Sequence, residues 1–275
     1  MLRRCISIPP TLPYQRSVVH RSFQFQSVTQ GKRHAGDHAP CRPNGINRND
    51  IERIIIKETK ISRDHLTPEI ALYLITPECR LFHEPVPAVH SAKLFKGDPF
   101  WAFYWPGGQA ISRFILDNPS LVTGKSVLDV GSGCGASAVA ALMHNAKYVV
   151  ANDIDEVAGY AAVLNAQLNE VNSTLLHICT HNLIAASTST APHLIKEDLI
   201  LLGDVFYDEE FAAVLQPWLK SLRNAGKQIL VGDPGRHGLT ADRRRLMRRL
   251  AKYELAESGC IENNGFRFVN VWELK

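Results

Sequence analysis

The sequence predicts an α/β protein, a mostly parallel sheet covered by helices and closed by an antiparallel C-terminal strand, with a small helical region ahead of it. Three observations predict it. After Asn118-Pro119, short apolar runs alternate with helical stretches. The first run, Val127-Leu128-Asp129-Val130, passes straight into Gly131-Ser132-Gly133-Cys134-Gly135, three alternate glycines followed by the helix formers Ala136 to Ala141. Near the C-terminus, Asn263-Asn264-Gly265 stands between strand-like stretches and reads as a hairpin turn.

In chain order, the first 36 residues contain Arg3, Arg4, Arg16, Arg21, Lys32 and Arg33, several serines, and no Asp or Glu. That is the composition of a mitochondrial transit peptide, with a basic tail for acidic surfaces as the other reading. Setting these six cations aside takes the formal charge from +4 to −2, so the isoelectric point is no sign of nucleic-acid binding. No stretch approaches the roughly 18 apolar residues that cross a bilayer, so a soluble protein with no membrane partner is expected. The six cysteines, at 5, 41, 79, 134, 179 and 260, have neither zinc-site nor disulfide-framework spacing, which predicts a reducing compartment and no structural metal. Cys134 reads as a small residue filling a tight turn rather than as a nucleophile.

Residues 37–105 read as a helical extension ending in an aromatic loop. Ile51, Ile54 and Ile55 share one helical face. Thr67 as a cap and Pro68 in a first turn predict a second short helix, with Ile70, Leu72, Leu74 and Ile75 as its apolar face, ending near Thr76-Pro77. The run from Phe100 to Trp105 either packs or walls a flat pocket beside Gly107-Gly108, and Trp105 is carried as a cofactor-contact candidate on the second reading.

Residues 106–275 read as the main domain, opening on an amphipathic helix with Ala110, Ile111, Phe114 and Ile115. Strands are expected at Ser126 to Val130, Tyr148 to Asn152, Leu175 to Cys179, Leu199 to Gly203 and Gln228 to Gly232. A basic amphipathic helix is expected around Ala241 to Leu255. It carries Arg243, Arg244, Arg245, Arg248 and Arg249, as a solvated face or a dock for an acidic partner. The hairpin arms are placed at Cys260-Ile261-Glu262 and Phe266 to Leu274.

Alternate glycines at the carboxyl end of a buried strand let the backbone turn sharply and let a ligand approach without meeting a Cβ. The next strand ends in Asn152-Asp153-Ile154-Asp155, and a carboxylate there can accept hydrogen bonds from both hydroxyls of a ribose. An adenosine-containing ligand follows. Glycines plus acid also fit a nicotinamide dinucleotide, but Asp129 stands where dinucleotide folds usually carry an apolar residue. With the terminal antiparallel strand, this favours S-adenosylmethionine and methyl transfer. Asp129 would help hold the amino-acid end of that cofactor, or stabilise the loop through backbone hydrogen bonds.

These motifs carry a resemblance. FWAFYWPGGQAISRFILDNP, GKSVLDVGSGCGASAVAA and ANDID, with LLGDVFYDEEF and ILVGDPGR, resemble the electron transfer flavoprotein beta-subunit lysine methyltransferase family, over most of the chain from about Thr67 onward. The resemblance implies a Rossmann-like, seven-stranded class I methyltransferase sheet and S-adenosylmethionine as cofactor. It further implies a mitochondrial matrix location and trimethylation of lysines in the loop by which the flavoprotein beta subunit docks its dehydrogenases, with an effect on electron transfer. Gly131, Gly133 and Gly135 match the family's cofactor loop, Asp153 its ribose-binding acid, and Asp204 to Tyr207 its D-x-x-Y element. Asn182 is a candidate adenine contact. Asp155-Glu156 departs from the Asp-Pro common in relatives, and the extreme N-terminus and last ten residues match loosely.

In-line methyl transfer requires a neutral amine. Lysine, with a pKa near 10.4, must therefore shed a proton on entering the site. Asp204 and Tyr207 are the catalytic candidates, the acid to orient the amine and the hydroxyl to hydrogen-bond beside it. The alternative is a strand-end cap and a packing ring. Asp208, Glu209 and Glu210 form an acidic rim or a helix start, and Gly232 to Arg236 would shape the substrate entrance. Other readings are a methyltransferase for a small molecule or an RNA amino group, disfavoured because Asp204 to Tyr207 is not Asn-Pro-Pro-Tyr, and a non-catalytic flavoprotein-binding factor.

Overall fold

The computed structural model describes residues 47–84, 86, 95, 97–184, 195–256 and 265–275. The transit-peptide reading of residues 1–36 and the expectations at Cys260 to Asn264 lie outside them.

Helix α1 (Arg48–Glu58) begins at Asn47, whose side chain accepts from the Asn49 amide. It lays Ile51 and Ile55 on Val157, Ala158, Ala161 and Leu164. Two short strands follow, β1 (Lys60–Ser62) and β2 (Leu72–Leu74), paired antiparallel. The predicted second helix is therefore wrong. Thr67 O accepts the Ile70 amide in a turn, and the next residues run extended. Ile70, Ala71, Leu72, Leu74 and Ile75 are all buried and only Tyr73 is half-buried, a short apolar stretch in which sequence alone does not separate a strand from a helical face. After a single turn, α2 (Arg80–His83), the chain reaches α3 (Pro106–Asp117), the expected amphipathic helix, which starts with proline in its first turn.

The main sheet has seven strands: β3 (Ser126–Val130), β4 (Tyr148–Asn152), β5 (Leu176–Cys179), β6 (Leu199–Gly203), β7 (Gln228–Asp233), β8 (Met247–Glu254) and β9 (Phe268–Leu274). Their order is β5-β4-β3-β6-β7-β9-β8. The first five are parallel, while β9 enters antiparallel between β7 and β8. The sheet is thus mostly parallel with an antiparallel C-terminal strand, as the sequence predicts, and its five parallel strands fall within a residue of their expected bounds.

The central parallel strands β3, β6 and β7 are buried on both faces, hence their unbroken apolar runs, while β4 and the edge strand β5 are buried only in part. Val127, Leu199, Leu201 and Leu230 face Ile111 and Ile115 of α3 and the alanines of α4 (Ala136–Met143). Leu128, Ile200, Leu202, Ile229 and Val231 face Leu215, Trp218, Leu219 and Leu222 of α6 (Glu209–Asn224). Helix α5 (Glu156–Leu168) is capped by Asp155, which accepts from the Val157 amide at 2.9 Å, and Glu156, where relatives often carry proline, is its first residue.

The predicted basic helix is corrected too. Only α7 (Ala241–Arg245) is helical, and from Met247 the chain is the sheet's edge strand. Met247 and Leu255 are buried and Ala251 and Tyr253 half-buried; a bulge between Arg249 and Ala251 masks this alternation in the sequence. Pairing with β9 overrides helix propensity here. Arg248, Arg249 and Lys252 remain exposed, charges of the kind that keep an edge strand from recruiting another.

Candidate active site

Strand order reverses around β3, where β4 and β5 lie on one side and β6 and β7 on the other, and the crevice beyond the carboxyl ends of β3 and β6 is where such sheets bind ligands. Gly131, Gly133 and Gly135 line it with φ of 67°, 51° and 76°. All three are left-handed, a conformation that disfavours side chains. At Gly135 a Cβ would also lie 2.6 Å from that of Ala162, so the loop sits directly on α5.

The loop is held from three directions. Gly131 and Ser132 donate to Asn152 O at 2.8 and 3.0 Å. The Gly133 amide donates to Asp153 Oδ2 at 3.0 Å, while Asp153 Oδ1 accepts from Asp155. From behind, Asn165 Nδ2 donates to Cys134 O and its Oδ1 accepts from Tyr73 N. Asn169, the residue that ends α5, accepts from and donates to Ala71, so two asparagines, one within α5 and one at its C-terminal cap, grip the main chain of the extension. Asn152 Nδ2 donates to Cys179 O and His181 O, fixing the end of β5, and Asn182 follows, its Oδ1 accepting from Ile184 N.

Polar atoms around the loop lack protein partners. Asp129 Oδ2, Ser132 Oγ and Trp101 Nε1 are buried without a hydrogen bond, an arrangement that suits a polar ligand. Burial, with the Asp153 charge nearby, pushes the Asp129 carboxyl up to about 7. Burial raises Asp153 as well. A Cβ on Gly131 would meet only Val205 Cγ1, at 4.0 Å, so ligand atoms can approach the main chain there. Ile154, beside Asp153, is 63% exposed and offers an apolar face next to that carboxylate. Cys134 is buried and its thiol is pushed up to about 12, as befits a filler residue.

A second cluster forms across β6 and β7. Gly107 and Gly232 meet backbone to backbone, where a Cβ on Gly232 would fall 2.0 Å from Gly107 O. This brings the start of α3 onto Asp204, a non-glycine residue at φ 59°. Asp204 Oδ2 accepts from the amides of Gly107 and Gly108 at 2.5 and 3.3 Å. Its Oδ1 takes Arg236 Nε and Nη2, each at 2.7 Å. The guanidinium lies over the rings of Trp105 and Phe266, at 5.6 and 5.8 Å from their centres. Trp105 Nε1 donates to Phe100 O, so this ring is fixed by packing as well as facing the cluster. Asp233 Oδ1 accepts from Gly235 and Arg236 amides, and burial pushes its carboxyl up to about 6.

Tyr207 is exposed and stacks on Phe211, ring centres 5.0 Å apart. Asp208 caps α6 by accepting from the Phe211 amide, with Glu209 and Glu210 in the first turn, so the acidic rim is a helix start. The structure thus gathers Asp129, Gly131, Gly133, Gly135 and Asp153 at one loop, and Trp105, Asp204 and Arg236 at a neighbouring cluster. Asn165 carries no sequence signal that marks it, and Arg236 and Asn152, though inside the ILVGDPGR and ANDID runs, carry none for these contacts. Arg236 is 32 residues from Asp204, and only the crossing of two strand ends joins them.

Residues 111–200 match the family model for ribosomal protein L11 methyltransferase (PrmA). Over 224 residues the chain is 46% identical to the electron transfer flavoprotein beta subunit lysine methyltransferase of Xenopus laevis, covering 80% of this chain and 85% of that one. The proteins of that name from Mus musculus and Homo sapiens are 45% and 42% identical. Coverage is 78% of this chain and 79% of the mouse protein, and 81% of both chains in the human case.

Proposed function

Because the chain belongs to the electron transfer flavoprotein beta subunit lysine methyltransferase family, we propose that it transfers methyl groups from S-adenosylmethionine to lysines of the flavoprotein beta subunit, on to trimethyllysine, and so modulates electron transfer from the dehydrogenases. The observation that carries this reading is the glycine loop hydrogen-bonded to Asp153, with the orphaned Asp129 oxygen beside it, at the switch point of the sheet.

In this reading Asp153 takes the ribose hydroxyls, Ile154 and Asn182 border the adenine, and the glycine amides with Asp129 hold the amino-acid end. S-adenosylmethionine supplies a methyl on a sulfonium, and as the lysine nitrogen's lone pair bonds that carbon, the carbon–sulfur pair stays on sulfur. The protein's residues bind, orient and exclude water; none need be a strong base, since a proton lost to solvent before each round suffices. Tyr207, exposed beyond the end of β6, would hydrogen-bond the incoming amine. Asp204, buried between the start of α3 and Arg236, would border the same entrance.

The acid-free, arginine-rich first 36 residues support import into the mitochondrial matrix, where that substrate would be met. The test is the chain lacking those residues, incubated with labelled S-adenosylmethionine and recombinant flavoprotein and read by mass spectrometry. Trimethylated lysine on the beta subunit is expected. Cofactor binding with no label would sink this substrate. Retention of a full-length fluorescent fusion in the cytosol would sink the location.

A further inference from the structure

The acceptor capacity of Asp204 is already used. A carboxylate offers about four acceptor directions, and here two helix amides occupy Oδ2 while two arginine nitrogens occupy Oδ1. Neither Asp204, 9% exposed, nor Arg236, 14% exposed, is free to swing. Rings from the α3 start and from the approach to β9 cover the guanidinium, and Asp233 holds its main chain. The charged groups that bear on this pair from the packed elements, among the described residues, are Asp233 at the end of β7 and the positive amide end of α3.

The site therefore does not present a bare carboxylate to an incoming lysine. This matters for the chemistry. At pH 7.4 only about one lysine in a thousand is neutral, and an unpaired carboxylate nearby would raise its pKa by roughly 1–3 units, making the attacking form rarer still.

Resting on the lysine-methyltransferase reading, we propose that Arg236 neutralises Asp204 so that the mouth of the site admits the amine in preference to the ammonium. Arg236 is thus a positioning residue for methyl transfer. It takes no proton itself; the lysine proton leaves to water before attack. Asp204 in turn fixes the arginine, which explains why a buried acid is kept where an amide would cap the helix equally well.

The experiment is the pH profile of kcat/KM for methylation of recombinant flavoprotein beta subunit by wild type, Arg236→Lys and Arg236→Met. S-adenosylhomocysteine binding and thermal unfolding serve as checks on the fold. Arg236→Met is expected to lose at least tenfold at pH 7.5, to shift the midpoint upward by about one unit, and to recover above pH 9.5. Arg236→Lys should keep the wild-type midpoint. If Arg236→Met fails to fold, the pair Asp204→Asn with Arg236→Met, which removes both charges, should restore folding and the wild-type midpoint. A parallel loss at every pH, or a shift that persists in the double variant, overturns the inference. No label with wild type at any pH removes the substrate reading, and this inference with it.

Discussion

The side-chain amide of Asn165 donates to the main-chain carbonyl of Cys134 at 2.8 Å, while its oxygen accepts the amide of Tyr73 at 2.8 Å. One fully buried side chain thus joins the cofactor loop to the N-terminal extension. Asn165→Leu would leave a buried acceptor and a buried donor unpaired, at about 1–3 kcal/mol each. A lower Tm and at least tenfold weaker S-adenosylhomocysteine binding by calorimetry are expected, with the KM for the protein substrate little changed. Unchanged cofactor affinity would show that the loop keeps its shape unaided.

Asp129 makes stability depend on pH. Its carboxyl stands at about 7 in the fold, against roughly 3.9 in an unfolded chain, so the folded state holds this proton more tightly. The contribution is complete below pH 4 and is lost as pH rises to 7. Asp129→Asn should therefore raise the Tm of cofactor-free protein at pH 8, by up to about 4 kcal/mol of stability, and change it little at pH 4. The same variant should bind the cofactor more weakly. A Tm difference that does not vary with pH would mean that the group is ionised throughout.

Gly232→Ala should be among the most damaging small substitutions. Its Cβ would fall 2.0 Å from the Gly107 carbonyl oxygen and 2.9 Å from Ile111 Cγ1, and no rotamer change relieves the clash with main chain. A loss of about 3 kcal/mol or more is expected, seen as insoluble expression or a large drop in Tm. Gly97→Ala, with nothing within 4 Å of its new atom, is the control and should lie within about 0.5 kcal/mol of wild type.

Tyr207 separates hydroxyl from ring. Tyr207→Phe keeps the stack on Phe211 and should leave Tm unchanged while lowering methylation roughly tenfold, one hydrogen bond to a developing charge. Tyr207→Ala should lose more. Full activity in Tyr207→Phe would make the residue a packing ring.

The parallel core was legible because strands buried on both faces leave uninterrupted apolar runs, and because a glycine loop needs its residues in a fixed local order. The two misread segments fail for one reason. At Ile70 to Ile75 and at Met247 to Leu255, the apolar positions fit a helix and a strand about equally. A distant partner, β1 in one case and β9 in the other, decides between them. The glycine loop and the neighbouring acid Asp153 stood out in advance since each lies in a contiguous motif, and the structure hydrogen-bonds the two. The Asp204–Arg236 pair could not, because it exists only where two loops from neighbouring strands meet over the start of α3.

The grip of Asn165 and Asn169 on Ala71 and Tyr73 reads peptide groups and ignores what hangs from them. Relatives are therefore free to drift at Tyr73 without loosening this seam. The one replacement the seam forbids outright is proline at either position, which has no amide hydrogen to offer.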